Sequence, residues 1–157
     1  MQPHRTYYLY PSNIFASREL YYITTLLGSC VAVCLYDRRQ QFGGMNHFML
    51  PLWNGNGLAS PKYGNIAVRH LLQKMESLGS RKSDMVAKIF GGASVLDIDT
   101  NLFHVGEQNA GVAKSELIAL GISIVASSVK GDRARKIIFN TFTGEVRQKY
   151  IKKRILK

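Results

Sequence analysis

The segment VAVCLY, Val31 to Tyr36, has no charged or amide side chain at any position. A strand with one wet face alternates polar and apolar residues, whereas a short apolar run suits a strand buried on both faces. The polar stretch that follows, DRRQQFGG, reads as a turn, and GMNHFML, closed by Pro51, reads as the returning strand. The turn is expected near Arg38–Gln41, with residues 36 and 41 paired. That register sets Cys30 roughly opposite His47.

The remaining elements follow from composition and period. ELYYITTLL is rich in β-branched and aromatic residues and predicts a strand before the hairpin. Ile66, Leu71, Leu72, Met75 and Leu78 recur at helical spacing, which predicts a helix over 65–78 stopped by Gly79. MVAKIFGG predicts a strand, Glu107 to Leu120 a second helix stopped by Gly121, and ISIVASSV, KIIFNTF and EVRQKYI three more strands. Strands, helix, strand, helix, strands is not a regular βαβ alternation, so a doubly wound parallel sheet is not expected. The expected class is α/β of the α+β type, with mixed sheets and helices segregated to one side.

A chain of 157 residues fits one domain, 1–157, with residues 1–16 as an extended arm or edge strand and 149–157 as a basic tail. Lys and Arg number 21 against 10 for Asp and Glu, a formal net charge of +11, which favours an anionic partner. A nucleic-acid partner is not expected: no such motif is present, and the aromatics are not interleaved with the basic residues. No run of about 18 apolar residues occurs, so no membrane insertion is expected. Two cysteines and no apolar leader point to a reducing, cytoplasmic setting.

The two cysteines differ. Four residues along a strand separate Cys30 and Cys34 by roughly 13 Å, too far for one zinc ion or a disulfide. No metal is expected. Cys34 lies inside the apolar run and reads as a small buried hydrophobe. Cys30 follows Gly28 and Ser29 at a turn, where backbone N–H groups are free to hold a developing oxyanion. A thiol there needs a neighbouring base, and His47 on the returning strand is the candidate. No carboxylate is near in sequence to orient the imidazole; Thr24 and Thr25 carry hydroxyls that can.

LLGSCVAVCLYD followed by GGMNHFMLP closely resembles the signature of the CheD family, the chemoreceptor glutamine deamidases of bacterial chemotaxis. The resemblance continues through KIFGGASVL, VGEQN, LIALGISIVAS and RKIIF to TGEV. It implies hydrolysis of receptor glutamine side chains to glutamate and ammonia. It implies Cys30 as nucleophile, His47 as general base and Thr24 as the residue orienting the histidine, with Gly28 and Ser29 supporting the oxyanion. The route is a thioester, and no cofactor is implied. The fold implied is a layered sandwich of two mixed sheets, similar to the deamidase domain of cytotoxic necrotizing factor toxins. The partners implied are the cytoplasmic domains of chemoreceptors and a CheC-type phosphatase. The alternative is a non-catalytic partner and regulator of such a phosphatase or of receptors.

The sequence departs from the family pattern in SVKGDRAR. Ser128 replaces an acid, and Lys130 and Ala134 replace glycines, while Gly131 and Arg135 remain. Gln108 stands where arginine is common. These changes bear on loops around the dyad, and so on substrate preference and phosphatase binding. For Gly91, Gly92 and Gly106 the expectation is turn geometry.

Overall fold

The computed structural model describes residues 5–94 and 104–152. Two mixed sheets and two helices form an α+β fold. The first sheet contains β1 (Thr6–Tyr8), β3 (Tyr22–Leu27), β8 (Arg135–Asn140) and β9 (Val146–Tyr150), in the order β1-β3-β8-β9. The second contains β2 (Ile14–Ser17), β4 (Val31–Asp37), β5 (Phe42–Asn46), β6 (Met85–Gly91) and β7 (Ser123–Val129), in the order β2-β5-β4-β6-β7. Each sheet has one parallel pair, β1 with β3 and β6 with β7; its other pairs are antiparallel.

The expected double burial of the VAVCLY run is observed, and the pleat explains it. Successive side chains of a strand point to opposite faces. Val31, Val33 and Leu35 pack with Ala67, Val68, Leu71, Met75, Ala113 and Leu117 of the helices. Ala32 and Cys34 pack the other way, against Ile23, Leu27, Ile137 and Phe139 of the first sheet. Both helices therefore cover one face of the second sheet, and the first sheet covers the other. Cys34 is fully buried in that inter-sheet layer, as a packing residue.

α1 (Gly64–Ser77) places Ala67, Val68, Leu71, Leu72 and Met75 on its buried face. It ends at Gly79, whose φ of +103° is left-handed and open to glycine without strain. α2 spans Val105–Ala119, starting two residues before the expected Glu107. Part of the tract SVLDIDTNLF preceding α2, together with the last five residues of the basic tail, lies outside the described residues.

The N-terminal segment supplies edge strands, one of its two expected forms: β1 is an edge of the first sheet and β2 an edge of the second, so residues 6–17 cross between them. One expectation is corrected: the hairpin register differs by two. Asp37 pairs with Phe42, Cys34 with Met45, and Val31 bridges Phe48. The fully buried Asp37 sets this turn. Its Oδ1 accepts the N–H groups of Arg39 and Gln40 (2.9 and 2.7 Å), and its Oδ2 accepts the Ser80 hydroxyl (2.5 Å). Those contacts hold residues 38–41 outside the ladder.

Candidate active site

A register error of two residues preserves the face, where an error of one would invert it. Cys30 is thus diagonal to His47 rather than opposite it, and both point into the layer between the sheets. The frame is the Val31–Phe48 bridge, which exchanges two backbone hydrogen bonds of 3.1 and 2.9 Å. Cys30 and His47 each immediately precede one member of that bridge. Cys30 is half-buried and its thiol is free; His47 is 2% exposed.

The first sheet fixes the imidazole. Thr25 Oγ1 lies 2.8 Å from His47 Nδ1. The same hydroxyl donates to the carbonyl of Leu9 at 2.7 Å. A hydroxyl has one hydrogen. With that hydrogen on Leu9, Oγ1 accepts from His47, so Nδ1 carries the ring proton. Nε2 is left with its lone pair, buried and with no hydrogen-bond partner among the described residues. The Cys30 thiol therefore makes no hydrogen bond to it.

Thr24 does not hold the histidine in this structure. On β3, Ile23, Thr25 and Leu27 point inward and are buried, so Thr24 takes the opposite face of the strand. Its Oγ1 is buried and has no hydrogen-bond partner among the described residues. The pleat thus gives the position facing His47 to Thr25, the other hydroxyl of the pair.

Burial also sets the charge states. Desolvation pushes His47 down to about 4, with the nearby Leu9 carbonyl pulling weakly the other way. Burial raises the Cys30 thiol, opposed in part by its own backbone N–H. At neutral pH the pair is thiol and neutral imidazole, not a standing ion pair. A thiol in that state needs a base to become a nucleophile, and an imidazole nitrogen with a free lone pair is chemically able to be one.

The Gly28–Ser29–Cys30 turn is held by its carbonyls. The Gly28 oxygen accepts the N–H of Ala93 and the Cys30 oxygen that of Gly92, both at 2.9 Å. The Ser29 oxygen accepts Nδ2–H of Asn109 at 2.9 Å. In a trans peptide the C=O and the following N–H point in opposite directions. The N–H groups of Ser29 and Cys30 therefore point away from these partners, and that of Cys30 acts on its own thiol. N–H donors directed beside a thiol are what a tetrahedral oxyanion requires.

The glycines pack this turn. Gly91 has φ +107°, and a Cβ there would lie 2.2 Å from the Cys30 oxygen. Gly92 is also left-handed, as turn geometry predicts. Gly106, by contrast, serves close packing: a Cβ would lie 2.5 Å from the Ala93 oxygen. Behind Gly91 runs the loop SVKGDRAR. The buried Arg135 donates to the Ser128 carbonyl and hydroxyl and to the Lys130 carbonyl, and the Lys130 N–H donates to the Gly91 oxygen. Lys130 sits at φ +68°, a conformation that glycine adopts freely.

Asn109 is the residue that sequence reasoning missed. It stands within VGEQN and is fully buried; nothing in the sequence marks it, because its burial and its partners are set by the fold. No helix among the described residues is long and apolar enough to cross a membrane.

The two-sheet fold with helices on one side, carrying a free thiol and a neutral imidazole in one layer, defines an α+β protein equipped for thiol chemistry. The model of the CheD family, described as chemotactic sensory transduction, matches residues 49–150. A relative from Trichlorobacter lovleyi, named "Probable chemoreceptor glutamine deamidase CheD", is 51% identical over 144 residues, 92% of this chain and 89% of its own. One of the same name from Sulfurimonas denitrificans is 50% identical over 147 residues, 93% of this chain and 94% of its own. A third, from Chromobacterium violaceum, is 41% identical, covering 92% of this chain and 73% of its own. The chain belongs to the CheD family. The family match begins after His47, but the first of these alignments is too long to leave out the segment from Thr24 to His47.

Proposed function

We propose that the chain hydrolyses the side-chain amide of selected glutamines in chemoreceptors. The observation that carries this is the unpartnered Nε2 of His47 in the same inter-sheet layer as the free Cys30 thiol. Nε2 takes the Sγ proton as Sγ attacks the glutamine amide carbon. The Ser29 and Cys30 N–H groups hold the oxyanion. The C–N bond breaks, Nε2 returns the proton to the leaving nitrogen, and ammonia departs from a thioester. Water, deprotonated by the same nitrogen, adds to the thioester; the C–S bond breaks, leaving glutamate and the thiol. Thr25 keeps the ring in the tautomer these steps need.

The proposal places the protein in the cytoplasm, acting on receptor cytoplasmic domains. A CheC-type phosphatase is the second partner proposed, on the family resemblance. The likeness to the deamidase domain of cytotoxic necrotizing factor toxins is part of the same reading. The test is incubation with receptor cytoplasmic fragments, followed by mass spectrometry. The expected result is a gain of about one mass unit per modified glutamine, abolished by Cys30→Ala. Equal activity in Cys30→Ala removes the proposal. An inert parent protein that binds receptor or phosphatase favours the non-catalytic alternative.

A further inference from the structure

Three consecutive carbonyls of the Gly28–Cys30 turn are held, two by backbone N–H groups and one by a side chain. The side chain is Asn109, fully buried on α2. Its Nδ2 donates one hydrogen to the Ser29 oxygen at 2.9 Å and the other to the Met49 oxygen at 3.0 Å. Both acceptors are carbonyls, so the amide has one orientation: a flipped side chain would face them with its own oxygen.

The two acceptors belong to the two strand ends of the site. Ser29 precedes the candidate nucleophile, and Met49 lies two residues beyond His47. The Ser29 carbonyl and the Cys30 N–H share one peptide plane. Fixing the carbonyl on Asn109 therefore fixes the direction of the N–H on the other side.

We infer that Asn109 is a positioning residue: its single amide aims the Cys30 N–H at the oxyanion and ties the Cys30 turn to the strand end carrying His47. This rests on the proposed deamidase reading. It adds a requirement that the reading does not contain, namely that oxyanion geometry depends on α2. Asn109 touches no substrate; the effect passes through the Ser29–Cys30 peptide.

The test compares parent, Asn109→Ala and Asn109→Asp in the full chain. The aspartate keeps the shape and replaces both donor hydrogens by an oxygen facing two carbonyls. The expected result is a fall in kcat of roughly 10- to 100-fold with KM changed by less than about threefold. Alkylation of Cys30 by iodoacetamide should move the other way. A loosened turn admits water, lowers the raised thiol pKa and shifts the alkylation profile to lower pH. A cooperatively melting variant with parental kcat overturns the inference. So does a fall in kcat/KM that lies wholly in KM with an unmoved alkylation profile.

One measurement needs no variant. In the unaltered protein both Asn109 side-chain amide hydrogens should exchange slowly with solvent, and exchange at the rate of a free amide overturns the inference. The alkylation and exchange readouts need no receptor. A parent protein inert toward glutamine would thus end the deamidase reading while leaving the Asn109 linkage to be decided by these two.

Discussion

Thr25 Oγ1 and His47 Nδ1 lie 2.8 Å apart; Thr25 belongs to β3 of the first sheet, and His47 directly follows β5 of the second. The bond crosses the layer between them, and its polarity is set by a third residue, Leu9, whose carbonyl takes the threonine hydrogen at 2.7 Å. The tautomer of a histidine at the end of one sheet is thus decided by a residue of the other.

Removing that hydroxyl should reduce catalysis more than it reduces folding. Thr25→Val keeps the shape and leaves Nδ1–H buried without an acceptor, a penalty of about 1–3 kcal/mol. The expected outcome is a loss of roughly tenfold to a hundredfold in kcat on receptor fragments, with most activity kept by Thr25→Ser. Thr24→Val should have the smaller effect. The reverse order of the two valine variants would return the orienting role to Thr24.

The contrast between Thr24 and Thr25 marks where sequence reading stops. The doubly buried Val31–Tyr36 run, the helix faces and the shared face of Cys30 and His47 were legible, because each follows from a period along the chain. The choice between two adjacent threonines depends on which face of β3 meets the second sheet, and YITTLL does not alternate cleanly enough to say. The hairpin register was misjudged because Asp37 holds its turn through Ser80, a contact across 43 positions. Asn109 was invisible for the same reason: its partners, Ser29 and Met49, lie 80 and 60 positions away. The family pattern supplied the substrate class, which no period carries.

Acid should destabilise the protein through His47. The folded chain protonates it near 4 and the unfolded chain near 6.5, so between these values the unfolded state binds more protons. The contribution is fully present above about pH 6.5 and is lost as pH falls toward 4. At about 1.4 kcal/mol per pH unit, the window amounts to roughly 3 kcal/mol. Urea unfolding at pH 7 and pH 4.5 should show a loss in the parent that is larger than in His47→Gln by about 2 kcal/mol. Equal losses would place the acid sensitivity elsewhere.

At Gly91 an added methyl should be severe. A Cβ would meet the Cys30 oxygen at 2.2 Å, and φ is +107°. Gly91→Ala is expected to lower stability by at least about 2 kcal/mol and to impair deamidation in whatever fraction stays folded. Lys130→Gly is the opposite case. It relieves a left-handed lysine at φ +68° and should raise stability by about 0.5–1 kcal/mol, read from the melting midpoint. A lowered midpoint would mean that the lysine side chain is itself stabilising.

The charge of +11 predicts salt-sensitive encounter with an anionic substrate. Raising ionic strength from about 0.05 to 0.5 M should reduce kcat/KM several-fold and leave kcat nearly unchanged. A rate indifferent to salt would remove long-range attraction from the account.

The first sheet joins distant parts of the chain: Thr25 on β3 pairs with Ile137 on β8, and β8 pairs with β9. Pairings of such sequence separation form late and slowly. The hydroxyl that orients the His47 ring therefore rides on a strand whose neighbour comes from more than a hundred positions away. Folding closes that long loop before the ring has a fixed wall to lean on, so the order around the imidazole is a late product of folding and not a local property of the hairpin.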